Sequence, residues 1–95
     1  MKLTFFVVAE ARRLISREVK TTNNAWTEYT LKAELENGSD VFLKVGSKLS
    51  TPENISFLEG LKGEVFEAEV YISERESNGK RYVNYFLQTL PKIVE

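Results

Sequence analysis

The hydrophobic and polar positions alternate with a period of two over most of the chain, which is the signature of strands with one buried and one solvated face. From Thr27 to Glu36, Tyr29, Leu31, Ala33 and Leu35 fall on one side, and Glu28, Thr30, Lys32, Glu34 and Glu36 fall on the other. Asn37-Gly38 follows, a hairpin signal because both residue types tolerate positive φ. The chain then returns through Val41–Val45, with Val41, Leu43 and Val45 predicted inward and Phe42 and Lys44 outward. Ser50-Thr51-Pro52-Glu53 reads as a helix start: a hydroxyl cap, a proline suited to the first turn and a carboxylate at the positive dipole end. Ile55, Leu58 and Leu61 continue at helical spacing, and Gly60 or Gly63 ends a short helix.

Glu64–Ser73 and Arg81–Leu90 read as a long hairpin around a second Asn-Gly pair, Asn78-Gly79, with Pro91 closing the last strand. Leu3–Lys20 is too long for one straight strand, so a bend or bulge is predicted near Ala9–Arg13. A helix over Ala9–Glu18 is the competing reading of that segment. No repeat, linker or low-complexity tract divides the chain, and residues 1–95 read as one domain. The order strand, strand, strand, helix, strand, strand predicts an all-β fold with small helical content, a five-stranded OB-type barrel with its short helix between strands three and four. An SH3-like barrel or another small α+β fold is the alternative. Phe5, Val7, Leu31, Leu35, Leu43, Val65 and Leu87 are the predicted core.

Composition narrows the chemistry. Hydrophobic residues make up 42% of the 95 residues and charged residues 28%, ordinary values for a folded domain. The chain has no cysteine and no histidine. That removes thiolate metal sites, disulfides, and the commonest general base and metal ligand. Neither a Gly-x-Gly-x-x-Gly nor a Gly-x-x-x-x-Gly-Lys-Ser/Thr motif is present to cradle phosphate. Glu67, Glu69, Glu74 and Glu76 read as a solvated strand face rather than a cation site. The expectation is therefore a binding protein, not an enzyme, without metal or cofactor. The apolar start Leu3–Ala9 stops at Glu10, too short to span a bilayer or serve as a signal core, so a cytoplasmic protein without membrane contact is expected.

The net charge is −1, against the usual basic balance of nucleic-acid binders. The distribution is uneven: residues 11–20 hold Arg12, Arg13, Arg17 and Lys20 against Glu18, while residues 64–76 hold five glutamates against Arg75. Single-stranded nucleic acid is held by bases stacked on exposed rings and phosphates paired to Lys and Arg. Four places offer that combination. Trp26 follows the polar Thr21–Ala25 loop. Phe42 stands with Lys32 and Lys44. Lys80, Arg81 and Tyr82, with Tyr85 and Phe86 beyond, lie on the last hairpin. Arg12, Arg13, Arg17 and Lys20 mark the bent first strand. Each has a structural alternative: a ring plugging the barrel, a subunit contact, or a charge row guarding a strand edge.

The element order, with Leu61-Lys62-Gly63-Glu64-Val65 leading into the fourth strand and Asn78-Gly79-Lys80-Arg81-Tyr82 on the hairpin after it, resembles the OB-fold single-stranded-DNA-binding proteins. It is similar in particular to the small phage-type helix-destabilising proteins, including the gene V group of filamentous phages. The helix near residues 52–60 departs from that group and suits a broader OB relative. The resemblance implies non-catalytic binding of single-stranded DNA, favoured over RNA, with low sequence preference, in replication or recombination, by a homodimer. A protein-interaction or homo-oligomeric adaptor module and an RNA-binding OB domain remain the alternatives.

Overall fold

The computed structural model describes residues 3–94. Six strands form: β1 (Thr4–Lys20), β2 (Ala25–Leu35), β3 (Asp40–Val45), β4 (Val65–Ser77), β5 (Lys80–Leu87) and the short β6 (Lys92–Ile93). One helix, α1 (Pro52–Glu59), lies between β3 and β4, preceded by a single 3₁₀ turn at Ser47–Leu49. The sheet order is β1-β2-β3-β5-β4-β6, and β1 also pairs with β4, so the first five strands close into a ring. All pairings are antiparallel except β3 with β5, where Leu43 and Lys44 align with Tyr85 and Phe86. The helical alternative for Ala9–Glu18 is excluded, because these residues are all within β1.

The interior follows from the alternation. Leu31, Leu43, Phe66 and Val70 are fully enclosed, and Leu58 and Leu61 from the helix and its exit add to the same cluster. Each such side chain contributes about 1.5–3 kcal/mol on burial. Two predicted core residues lie elsewhere. Val65 is 42% exposed, because Phe66 sets the inward phase of β4 and its neighbour must point out. Phe5 is 36% exposed, at the rim, where it meets Tyr85 edge to face with ring centroids 6.0 Å apart.

Local signals act as their chemistry requires. The Thr51 hydroxyl accepts a hydrogen bond from the Asn54 N–H at 3.2 Å, and Pro52 opens α1. Gly63 adopts φ +86°, where a side chain would be strained, and its N–H donates to the Ala11 carbonyl at 2.7 Å. Asn78 and Gly79 both take positive φ, as a tight two-residue turn demands. In the first Asn-Gly pair only Gly38 does, because Leu35 and Ser39 close a longer turn and the Asn37 side chain accepts from the Ser39 N–H instead. β5 ends at Leu87 rather than Leu90. The chain then passes Pro91 and resumes pairing with β4 at Lys92–Ile93.

The predicted bend in the first strand is a bulge at Arg12. Ala11 aligns with Ala33 and Arg13 with Lys32, so Arg12 has no partner across the ladder. Two segments run past the ring. β4 leaves β1 at Tyr71 and β5 joins β3 only from Tyr85, so Ser73–Ser77 and Lys80–Asn84 extend as a two-stranded arm. The molecule measures 44 × 29 × 25 Å.

Candidate functional site

Residues aligned across antiparallel strands project to the same side of the sheet. On the outer face of β1, β2 and β3 this alignment builds a grid. Its first row is Arg13, Lys32 and Phe42, and its second is Ile15, Thr30 and Lys44, continued on β5 by Phe86. The third row is Arg17 with Glu28, and the fourth is Val19 with Trp26. Six of the sequence-predicted residues (Arg13, Arg17, Trp26, Lys32, Phe42 and Lys44) therefore share one face. Trp26 is 45% exposed and Phe42 50%, so neither ring plugs the barrel.

Three shallow hollows run along this face. Ile15, Arg17, Thr30, Phe42 and Lys44 line the middle one, of about 250 Å³. Phe42 and Lys44 also border a second, about 260 Å³, against Val83 and Asn84 where β3 and β5 diverge. The third, about 560 Å³, is bordered by Trp26, Glu28 and Phe86 and also by Tyr29 and Val45 of the opposite phase, so it is not confined to the outer face; it shares Glu28 with the middle one. Phe86 is held flat by Tyr71, with rings stacked 5.3 Å apart at 10°.

The charges on the face are partly committed. Arg17 donates to Glu28 at 2.9 Å, and Lys32 lies 4.0 Å from Asp40. Among the described residues, Arg13 and Lys44 have no ion partner. Exposed pairs of this kind contribute only about 0–1 kcal/mol and yield to a better anion.

The other predicted residues are not brought into this grid. Arg12, at the bulge, pairs with Glu10 at 3.0 Å and also with Glu34, and its pKa is raised, mainly by the hydrogen bond to Glu34 with the Glu10 charge adding to it. Lys20 falls in the opposite strand phase from Arg17 and pairs with Glu18 at 3.6 Å. The arm carries Lys80 and Tyr82 on one side, aligned with Ser77 and Arg75. Arg81 lies on its other side and donates to Glu74 at 2.6 Å. The predicted row of four cations along the first strand is thus divided: Arg13 and Arg17 share the grid, Arg12 sits at the bulge and Lys20 lies in the opposite phase.

Alternation put Thr30 and Glu28 on the outer side of β2 with Lys32, but it could not show that Ile15 and Arg17 stand opposite them. Their place depends on the β1–β2 register, which one inserted residue shifts.

Beyond the first row the same outer surface turns acidic, where Glu10, Glu34 and Asp40 align. Phe6, Val8 and Glu10 on the first half of β1 align with Glu69, Glu67 and Val65 on β4. Phe6 and Val8 are exposed there. Among the described residues, no three or more Asp or Glu side chains are grouped to hold a metal ion, and no helix is long and apolar enough to cross a membrane. Compared with protein-family models, curated proteins and solved structures, the chain matches none of them.

Proposed function

We propose that this chain is a non-catalytic OB-type barrel that binds single-stranded nucleic acid, DNA in preference to RNA and with little sequence preference, across the outer face of β1, β2 and β3. The observation that carries the reading is the grid itself: exposed Trp26 and Phe42 stand in register with Arg13, Arg17, Lys32 and Lys44 on one surface. The ring of five strands closed through a parallel β3–β5 pairing, with a helix between β3 and β4, supports the OB assignment. In that architecture the face of strands two and three and the loops after strands one and four bind oligonucleotides. Here those loops present Trp26 and the pair Lys80 and Tyr82. From Trp26 to Lys32 the face extends about 20 Å along β2, which suits the short end of the roughly 4–16 nucleotides held per OB fold.

Titration with oligo-dT at low salt tests it. Trp26 fluorescence falls as bases stack on the indole, a matched RNA oligomer binds more weakly, and added salt weakens both. Unchanged fluorescence together with no gel shift at low salt refutes the proposal.

A second reading, a protein-binding or homodimeric module, is favoured by the acidic and apolar face of Phe6, Val8, Glu67 and Glu69. Light scattering on the eluted protein without nucleic acid tests it. A fixed dimer that Phe6→Ser converts to monomer supports this reading, and a monomer at all concentrations removes the homodimer.

A further inference from the structure

We infer that the hollow between Trp26 and Phe86 is a subsite for one unstacked nucleobase, and that it takes an amino-bearing base over thymine. The inference rests on the nucleic-acid reading above and specifies one position within it. At about 560 Å³ the hollow is more than twice the volume of the middle hollow and within the range of roughly 300–1,000 Å³ typical of ligand pockets. It differs from the rest of the face in kind. Phe42 and Lys44 offer a ring and a cation on open sheet, a platform that suits any base. The lining of the Trp26 hollow combines three rings, Trp26, Tyr29 and Phe86, with the hydrogen-bonding residues Thr27, Glu28, Ser47 and Ser50.

The position is set from several directions. Phe86 is pinned by its stack on Tyr71 and stands in register with Lys44, so the hollow opens next to a cation with no ion partner among the described residues. A phosphate at Lys44 leaves its base within reach of the hollow. The floor comes from the turn after β3, where the Ser50 hydroxyl donates to the Gly46 carbonyl at 2.9 Å and fixes the backbone. Trp26 follows the loop closed by the Thr21 N–H to the Asn24 carbonyl at 2.7 Å.

Glu28 supplies the preference. One of its oxygens, Oε2, accepts from Arg17 at 2.9 Å, which holds the carboxylate at the boundary of the two hollows and leaves Oε1 open to a ligand donor. A carboxylate only accepts hydrogen bonds. The exocyclic amines of cytosine, adenine and guanine donate, whereas thymine presents O4 and O2 acceptors flanking a single N3–H. Thymine can offer this oxygen only its N3–H, and then turns O2 and O4, both acceptors, toward the carboxylate on either side.

The test scans an oligo-dT that saturates the protein, replacing one residue at a time first by an abasic site and then by dC, dA or dG. One position loses more affinity than the others when abasic, and at that position an amino-bearing base binds about tenfold tighter than dT, the scale of one hydrogen bond to a charged group. Glu28→Gln collapses the ratio of dC to dT at that position, because the amide donates as well as accepts, whatever it does to overall affinity. Equal abasic losses at all positions, or a dC to dT ratio that Glu28→Gln leaves unchanged, overturn the subsite while the general binding stands. No binding of any oligomer at low salt overturns both.

Discussion

The salt dependence of binding follows from the ion pairs on the β1–β2–β3 face and tests which cations act. Binding to a single strand releases counterions, and log K falls against log salt with a slope of about −0.7 per phosphate neutralised. Arg13 and Lys44 have no ion partner among the described residues, while Arg17 and Lys32 are engaged by Glu28 and Asp40. If only the first two meet phosphate, the slope is about −1.4, and raising salt from about 50 to 200 mM costs about sevenfold in affinity. If all four do, the slope is about −2.8 and the same step costs about fiftyfold. Fluorescence anisotropy of a labelled oligo-dT against salt reads this directly. Lys44→Ala flattens the slope by about 0.7. Lys20→Ala leaves it unchanged, because Lys20 stands in the opposite phase of β1 and is paired with Glu18. A slope near zero refutes phosphate pairing altogether. Equal effects of Lys44→Ala and Lys20→Ala refute the assignment to this face.

Phe42→Ala removes a half-exposed ring from the outer face; oligo-dT affinity falls by the worth of one stacked base, about 1–3 kcal/mol, while the urea midpoint is nearly unchanged. Phe66→Ala does the reverse: it empties a fully buried site and costs about 3–5 kcal/mol of stability, read by urea unfolding. Gly79→Ala places a side chain at φ +76° and costs about 1 kcal/mol or more, seen as a lower melting temperature, with the grid intact.

The first five strands, the helix and the places of both turns were legible because their signals are local, whereas the short β6 and the end of β5 at Leu87 were not. Thr51-Pro52-Glu53 caps a helix wherever it sits, and the alternation from Tyr29 to Leu35 fixes which side of β2 faces the core. Phe42 was readable as outward for the same reason, since Val41, Leu43 and Val45 set the phase. What local pattern does not carry is the register between strands. Val65 reads as core from its neighbours' hydrophobicity, yet the phase of β4 is set by Phe66, and only pairing with Glu10 reveals that Val65 lies outside. The cations of β1 share that fate. Their spacing in sequence says nothing of which pairs with a glutamate on β2, and Arg12 and Arg17 are engaged by Glu34 and Glu28, residues 22 and 11 positions away.

The bulge at Arg12 creates the basic face, and this is open to test. Before it, Val7, Ala9 and Ala11 point inward and Phe6, Val8 and Glu10 outward. After it the phase is reversed, with Leu14 on the core and Arg13, Ile15 and Arg17 outside. A shift of one residue exchanges the two faces of a strand, so if Arg12 took a ladder position instead of bulging, Arg13, Ile15 and Arg17 would turn toward the interior and Leu14 toward water. The side chain of Arg12 has no part in this, since it lies against Glu10 and Glu34. Its backbone position does. Arg12→Ala is therefore expected to keep both the fold and the affinity for oligo-dT. Deleting Arg12 makes Ala11 and Arg13 consecutive opposite Ala33 and Lys32, so Arg13 and Arg17 stay outward in a regular ladder, and the variant is expected to unfold cooperatively in urea and to bind oligo-dT like the parent. A deletion variant that folds but has lost its affinity for oligo-dT would show that the register across Arg12 does not place Arg13 and Arg17, and the grid would lose its structural cause.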